Sequence, residues 1–180
     1  MKVLVTGIDG YIGSVLEEVL INKGFDVVGL DTGFYGSGVF YPVKSKVKRI
    51  INKDIRKISI SELRGFDGVV HLAELSNDPL GQNNPALTLE INHKASVRLA
   101  MLAKQAGVKR FVYMSSCSVY GIATKDLVDE TSEPNPQTVY AKCKLLVERY
   151  VSKLADNDFS PTFLRSATAY GASPKQRFDL

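Results

Sequence analysis

The chain has 180 residues, of which 44% are hydrophobic and 23% are charged. These proportions are typical of globular proteins, and the length suits one domain with a single large core over residues 1–180. No apolar run is long enough to span a membrane, and a strand-like run begins directly after Met1, which leaves no room for a signal peptide. We therefore expect a cytoplasmic protein without a membrane segment.

The formal net charge of +4 does not by itself indicate a nucleic-acid partner. The basic run Lys44–Arg49 alternates with uncharged residues and lacks the aromatic side chains that would stack on bases. A mildly basic surface also suits a small, doubly anionic ligand. Cys117 and Cys143 form no C-x-x-C pair, so we expect neither a metal site nor a disulfide.

The first thirteen residues, MKVLVTGIDGYIG, contain the most informative pattern. Lys2–Thr6 is a β-branched apolar run, typical of a buried parallel strand. Three glycines follow at G-x-x-G-x-x-G spacing, namely Gly7, Gly10 and Gly13. The pattern predicts a tight turn and a helix start, where the first-turn N–H groups of Tyr11 and Ile12 bind a pyrophosphate. The alternative is an ordinary tight turn without a ligand.

A helix over Tyr11–Lys23 and a second strand over Phe25–Leu30 are predicted next. That strand ends at Asp31, about twenty residues beyond the turn, where a carboxylate accepts hydrogen bonds from the adenosine ribose. An acidic residue there would repel a 2′-phosphate, so NAD is favoured over NADP. The basic residues of Lys44–Arg49 lie close along the chain and keep NADP open.

Strands and helices alternate through the rest of the chain. The predicted elements are a loop over Thr32–Pro42, a third strand over Lys46–Ile51, a short helix over Ile58–Arg64, a fourth strand over Gly68–Ala73, a loop over Glu74–Pro85, a long helix over Ala86–Ala106, a fifth strand over Lys109–Ser115, a helix over Thr138–Ala155 and a sixth strand over Ser160–Leu164. This alternation predicts an α/β fold with a doubly wound parallel sheet, whose ligand lies across the carboxyl ends of the strands. Asp54 and Ile55 follow the third strand and are placed to touch an adenine, although a surface carboxylate explains Asp54 equally well.

A candidate catalytic set falls at the same edge of the sheet. Ser115 and Ser116 close the fifth strand, and Tyr140 and Lys144 are four residues apart on one face of the next helix. An ammonium about one turn away favours the phenolate, so Tyr140 can act as a base while Ser116 holds the substrate oxygen. Tyrosine and lysine at this spacing also occur by chance on many helices.

The ordered motifs resemble the extended short-chain dehydrogenases/reductases, in particular the NAD-dependent epimerase/dehydratase group that acts on nucleotide sugars. The matching motifs cover the whole chain and are TGIDGYIG at Thr6–Gly13, Asp31, Asp54–Ile55, HLAE at His71–Glu74, Asn92, SSCSVYG at Ser115–Gly121, YAKCK at Tyr140–Lys144 and LRSATAYG at Leu164–Gly171. The resemblance implies a Rossmann-like fold that binds NAD. It also implies a set of cofactor contacts, namely Gly7, Gly10, Tyr11, Ile12 and Gly13 for the pyrophosphate, Asp31 for the ribose, Asp54 and Ile55 for the adenine, and Leu72 and Ala73 at the end of the fourth strand.

By the same resemblance, Ser116, Tyr140 and Lys144 form a catalytic triad, in which Lys144 also reaches the nicotinamide ribose, and Asn92 braces the long helix. Members of the family are longer, and the resemblance therefore leads us to expect that most of the C-terminal substrate domain is absent from this chain. The family also commonly forms homodimers through the two long helices. Leu145, Leu146 and Tyr150 are placed either in that interface or against the sheet.

Two positions depart from the family pattern. Sugar 4,6-dehydratases carry an Asp-Glu pair directly after the catalytic Ser or Thr, where this chain has Cys117 and Ser118, so dehydration is not expected. Glu74 stands where the fourth-strand motif more often ends in alanine. Neither Cys117 nor Cys143 has a histidine at triad spacing, which makes both packing residues rather than nucleophiles.

The expected function is the NAD-dependent epimerisation of a nucleotide sugar through transient oxidation at C4. One alternative is a nucleotide-sugar dehydrogenase or 4-ketoreductase, which uses the same triad and exchanges its cofactor. The other is a non-catalytic dinucleotide-binding module.

Overall fold

A computed structural model describes residues 1–34, 36, 39–41, 45–76, 78–122 and 127–176 of the chain. Part of the predicted loop over Thr32–Pro42, and Lys44 of the basic run, lie outside the described residues. In the part of the chain that is described, no helix has the length and apolar character needed to cross a membrane.

Within the described ranges, six parallel strands form one sheet, with the spatial order β3-β2-β1-β4-β5-β6. The strands are β1 (Lys2–Thr6), β2 (Asp26–Asp31), β3 (Ile50–Asn52), β4 (Gly68–His71), β5 (Arg110–Ser116) and β6 (Ser160–Ser166). The chain reverses its direction of winding between β1 and β4, which is where ligands bind in doubly wound sheets. The predicted fold class is confirmed.

Helices cover both faces of this sheet. They are α1 (Tyr11–Asn22), α2 (Asp78–Asn83), α3 (Pro85–Thr88), α4 (Ser96–Gln105) and α5 (Val139–Val151). On one face, Val3 and Val5 pack against the α1 side chain of Leu16, and on the other Leu4 belongs to a larger cluster. That cluster includes residues of α4 and α5. Apolar residues therefore run continuously along β1, as in a strand buried on both faces.

The predicted third strand is shorter than the pattern Lys46–Ile51 suggested. The carboxylate of Glu17, on α1, accepts the N–H groups of Lys46 at 2.5 Å and Val47 at 3.2 Å. These amides therefore bond to a helix side chain, and pairing with β2 begins only at Ile50. β4 likewise ends at His71, two residues before the predicted end.

The short helix predicted over Ile58–Arg64 is reduced to one 3₁₀ turn, Ile60–Glu62, and a separate 3₁₀ turn, Ile55–Lys57, precedes the predicted range. Ile58 between them is extended, with ψ of 144°. The Arg98 guanidinium donates to the Ile58 carbonyl at 2.9 Å, so that oxygen has a partner outside any local helix.

The loop predicted over Glu74–Pro85 contains α2, which the polar composition did not indicate. The predicted long helix runs from Pro85 to Gln105 as α3, a π-helical segment over Leu89–Ala95, and α4. Within the π segment, the Asn92 side chain accepts from the Leu75 N–H at 2.9 Å and donates to the Leu75 carbonyl at 2.8 Å. Asn92 thus ties this helix to the loop that follows β4.

The remaining predicted elements differ only at their ends. β5 extends to Ser116 and β6 to Ser166, while α5 gives way to a 3₁₀ turn over Ser152–Leu154. The Thr138 hydroxyl caps α5 by accepting from the Ala141 N–H at 3.1 Å.

Candidate active site

The turn after β1 is shaped for close backbone approach. Gly7 has φ of +72°, and its N–H donates to the Leu30 carbonyl at 2.8 Å. A Cβ at Gly7 would lie 2.8 Å from the Ala73 nitrogen, so the turn is in close backbone contact with the segment that follows β4. A Cβ at Gly13 would lie 2.2 Å from the Gly7 carbonyl oxygen. Both glycines are therefore required by packing, which the spacing predicted.

Helix α1 begins at Tyr11 with Gly10 as its N-cap. Gly10 has no side chain to cap this end, and the first turn of the helix holds no acidic residue. The first-turn N–H groups and the helix dipole consequently favour an anion at this end. The Tyr11 hydroxyl donates to the Gly171 carbonyl at 2.6 Å, and Ile12 lines a shallow groove of about 280 Å³ with Tyr170.

Asp31 lies at the end of β2 and is brought to the glycine turn as predicted. Its carboxylate accepts the Asp9 N–H at 3.1 Å and the Gly33 N–H at 2.9 Å. Burial and the neighbouring charge of Asp31 raise the pKa of the Asp9 carboxyl. This part of the site is thus acidic, which opposes a 2′-phosphate.

The sequence suggested that Asp54 and Ile55 contact the adenine, but in the structure both residues make other contacts. The Asp54 carboxylate accepts the Arg56 N–H at 2.8 Å and pairs with the Arg56 guanidinium at 2.7 Å. The side-chain hydrogen bonds from Arg56 lower the pKa of Asp54. Ile55 as a whole is 4% exposed and packs in the core. The adenine role of both residues stays a prediction.

A buried polar chain links the end of β1 to the end of β4. The Thr6 hydroxyl oxygen accepts the N–H groups of Leu72 at 3.2 Å and Ala73 at 3.3 Å. Its own hydrogen therefore goes to His71 Nδ1, 2.7 Å away, and the Nε2–H donates to the Ser96 oxygen at 2.8 Å. Burial lowers the pKa of His71 to about 3, and the charge of Lys144 adds to this effect.

The two serines at the end of β5 have different environments. Ser115 is buried, and its hydroxyl donates to the Glu148 carboxylate. Ser116, the last residue of the strand, is half-buried at the carboxyl edge, where its hydroxyl accepts the Ser118 N–H at 3.1 Å and donates to the Ser118 hydroxyl at 3.0 Å. Of the pair, Ser116 is the one placed to meet a ligand.

Tyr140 and Lys144 lie in the first two turns of α5, as their spacing predicted. The Lys144 Nζ is 5.3 Å from the centre of the Tyr140 ring and 4.8 Å from that of Tyr113. It donates to the Met114 carbonyl at 2.5 Å, two residues before Ser116. The structure thus brings the lysine to the end of β5 and into contact range of the tyrosine ring.

Glu74 is the residue of this region whose contacts the sequence did not predict. Its carboxylate forms an ion pair with the Lys144 ammonium, and it accepts from the Tyr113 hydroxyl at 2.7 Å. Burial raises the pKa of Glu74, while the ammonium and the hydroxyl donors act in the opposite direction. In the sequence, Glu74 stood out only because it occupies a position where the fourth-strand motif more often has alanine. That difference did not predict which residue Glu74 contacts.

The two cysteines remain separate, with Cys117 exposed and Cys143 buried. Burial raises the pKa of Cys143 to about 11, so its thiol is protonated at neutral pH. This environment agrees with a packing role for Cys143.

Comparisons with known proteins agree with this geometry. A family model described as "NAD dependent epimerase/dehydratase family" matches residues 3–179. The UDP-glucose 4-epimerase of Bacillus subtilis (strain 168) is 30% identical to this chain over an alignment of 193 positions, which covers 98% of this chain and 55% of the relative.

Two solved structures are similar over nearly the whole chain. MoeE5 in complex with UDP-glucuronic acid and NAD superposes with a TM-score of 0.85 at 34% identity, covering 100% of this chain and 58% of that one. The UDP-glucuronic acid 4-epimerase from Bacillus cereus, in complex with UDP-glucuronic acid and NAD, gives a TM-score of 0.83 at 27% identity, covering 97% and 59%. The chain thus spans somewhat more than half the length of the relatives that it matches.

Proposed function

The chain belongs to the NAD-dependent epimerase/dehydratase family, and on that premise we propose that it provides the cofactor site and catalytic side chains for epimerisation of a nucleotide sugar through transient oxidation at C4. The observation that carries the proposal is the Lys144 ammonium 5.3 Å from the Tyr140 ring centre. This pair lies at the carboxyl edge of the sheet, which also bears the glycine turn. Relatives that bind NAD together with a nucleotide sugar support the same reading.

The glycine turn is compatible with a dinucleotide, because Gly7 and Gly13 let the backbone of the turn pack closely against Leu72 and Ala73 and against the first turn of α1. The first-turn N–H groups of α1 would hold the pyrophosphate, and the Asp31 carboxylate would accept from the ribose hydroxyls. When bound there, NAD supplies a reversible two-electron oxidant. The acidic environment of Asp31 favours NAD over NADP.

The chain's own side chains handle the proton and the substrate oxygen. Tyr140 takes the proton of the sugar 4-hydroxyl during oxidation and returns it after the ketone has turned. Lys144 supplies the positive charge that stabilises the phenolate. Ser116 turns its hydroxyl from Ser118 to the substrate oxygen and holds it by a hydrogen bond. Since oxidation and re-reduction occur in one complex, no cofactor is exchanged.

The test uses the longest natural form of the protein that contains this chain. Purified protein is denatured and its extract assayed for NAD(H), and native protein is then incubated with UDP-, dTDP- and GDP-sugars without added cofactor. We expect bound NAD and conversion between sugar epimers. Tyr140→Phe removes the phenolic proton acceptor and lowers kcat by about 10²- to 10⁴-fold, while NAD stays bound. Tyr150→Phe, on the exposed side of the same helix, is the matched control and keeps wild-type turnover.

Other outcomes select the other functions. Release of NADH during turnover indicates a dehydrogenase or 4-ketoreductase. Bound NAD without conversion of any sugar indicates a dinucleotide-binding module. Absence of any dinucleotide would refute the assignment of Asp31 and the glycine turn.

We further propose a homodimer that forms through α4, α5 and the adjoining π segment. Tyr150 is 50% exposed, and its ring centre lies 5.4 Å from that of His93 across the two helices. Met101 on α4 is 46% exposed. Leu145, by contrast, is buried against Val119 and so contributes to the core rather than to such an interface. Light scattering should show a dimer that Tyr150→Glu dissociates.

A further inference from the structure

Glu74 and Lys144 form a pair that is almost completely removed from water. The side chains are 3% and 5% exposed, respectively. The Glu74 Oε1 atom also accepts from the Tyr113 hydroxyl at 2.7 Å and from the Ser96 hydroxyl at 3.3 Å. A buried carboxylate with this many donors has a fixed position. Ser96 in turn receives a hydrogen bond from His71, so the polar chain that starts at Thr6 ends on Glu74.

The contacts of Lys144 fix its ammonium in two directions. An ammonium has three N–H donors; here it forms an ion pair with the Glu74 carboxylate and donates a hydrogen bond to the Met114 carbonyl at 2.5 Å. The rings of Tyr113 and Tyr140 lie on the same cation, at 4.8 Å and 5.3 Å from their centres.

We propose that Glu74 is a positioning residue: its carboxylate holds the Lys144 ammonium over the Tyr140 ring and keeps it positively charged. This inference rests on the proposed function, in which Tyr140 is the base. A buried ammonium without a counter-charge gives up its proton, because low polarity disfavours the charged form. With the counter-charge present, the cation persists beside the phenol.

Other titratable groups face the same cation, and none of those described supplies the counter-charge that Glu74 does. His71, from β4, is neutral at pH 7, since burial lowers its pKa to about 3. Tyr113, from β5, is protonated, because burial raises the pKa of its hydroxyl well above the ordinary value. Cys143, on α5, has a pKa raised by burial to about 11. Tyr140 is the group to be activated. Glu74 is the carboxylate of this set: burial raises its pKa as well, and the Lys144 ammonium and the Tyr113 and Ser96 hydroxyls act against that rise.

The direct test follows the protonation of Lys144 by NMR. Protein labelled with ¹³Cε-lysine is titrated with pH, and the Lys144 resonance is assigned by its loss in Lys144→Arg. We expect Glu74→Gln to move the titration midpoint of this resonance downward by at least about one pH unit, a tenfold change in proton affinity. Glu74→Asp, which keeps the charge, should restore the midpoint at least in part.

Glu148 offers a matched control. It is also a buried carboxylate that accepts from a serine hydroxyl, but it pairs with Arg165 at 2.7 Å rather than with the active-site lysine. Glu148→Gln should therefore leave the Lys144 midpoint at the wild-type value. A comparable drop in both glutamine variants would show a general effect of packing and would overturn the proposal.

Activity provides the second readout. In Glu74→Gln, the acid limb of the kcat–pH profile should move to higher pH and kcat at pH 7 should fall about tenfold, with KM for the sugar within about twofold. A Lys144 resonance that titrates as in wild type, or an unshifted profile, overturns the inference.

Two further outcomes are also decisive. If Glu74→Gln does not fold, the wild-type titration decides, because a Lys144 resonance that titrates below about pH 9 contradicts a retained counter-charge. If wild-type protein binds no NAD and converts no sugar, the proposed function fails, whereas the lysine titration still answers whether Glu74 keeps the ammonium charged.

Discussion

Replacing Gly13 with alanine should damage the fold more than the same change at Gly10. A Cβ at Gly13 would lie 2.2 Å from the Gly7 oxygen, and 2.7 Å and 2.8 Å from the oxygen and Cα of Ile8. All three atoms are backbone, so relief requires α1 to move off β1. A Cβ at Gly10 would meet the Gly7 oxygen at 3.2 Å, and the Gly10 backbone, with φ of −82°, accepts an alanine.

The magnitude follows from these contacts. Overpacking a well-filled site typically costs about 1–3 kcal/mol, and three backbone clashes place Gly13→Ala at about 3 kcal/mol or more. For a domain of this size each kcal/mol lowers Tm by about 2–4 °C, so Tm should fall by about 6–12 °C. Gly10→Ala should cost less than about 1 kcal/mol.

Thermal unfolding followed by circular dichroism, without added cofactor, measures both variants. Calorimetric titration with NAD then separates folding from binding. Gly10 is the N-cap of α1, next to the proposed pyrophosphate site, so a methyl group there should weaken NAD binding at least about tenfold. Equal Tm values for Gly13→Ala and wild type would refute the packing argument. A Gly10 variant that binds NAD with wild-type affinity would refute the proposed pyrophosphate site at the start of α1.

Two other predictions concern charge. Asp31→Ala removes a charged hydrogen-bond acceptor. Because such a bond contributes about 1.5–3 kcal/mol, NAD binding should weaken by about 10- to 100-fold, and NADP binding should weaken less. Equal losses for both cofactors in calorimetry would contradict the role of the carboxylate. His71 has a folded pKa of about 3 against an ordinary 6.5, so the unfolded state binds its proton first and stability falls as pH drops from 6.5 toward 3. The loss has a limiting slope of about 1.4 kcal/mol per pH unit. Urea unfolding at pH 7 and pH 5 should show a smaller acid loss for His71→Gln than for wild type, and identical losses would show that His71 is not the group concerned.

Local patterns in the sequence determined most of the architecture. The apolar run Lys2–Thr6, the glycine spacing after it and the Tyr140–Lys144 spacing each act through neighbouring residues. Backbone conformation and side-chain period are local properties, so these patterns already predict the turn, the faces of the helices and the carboxyl-edge position of the site.

The tertiary structure decided which groups meet. Glu74 and Lys144 are seventy positions apart in the numbering, and no local period relates them. Only the packing of α5 against β5, which pairs with β4, makes them an ion pair. The same reason explains why Ile55 turned into the core and Leu145 away from the exposed face. Burial and charge pairing depend on long-range neighbours, and these neighbours set the electrostatics of the candidate site.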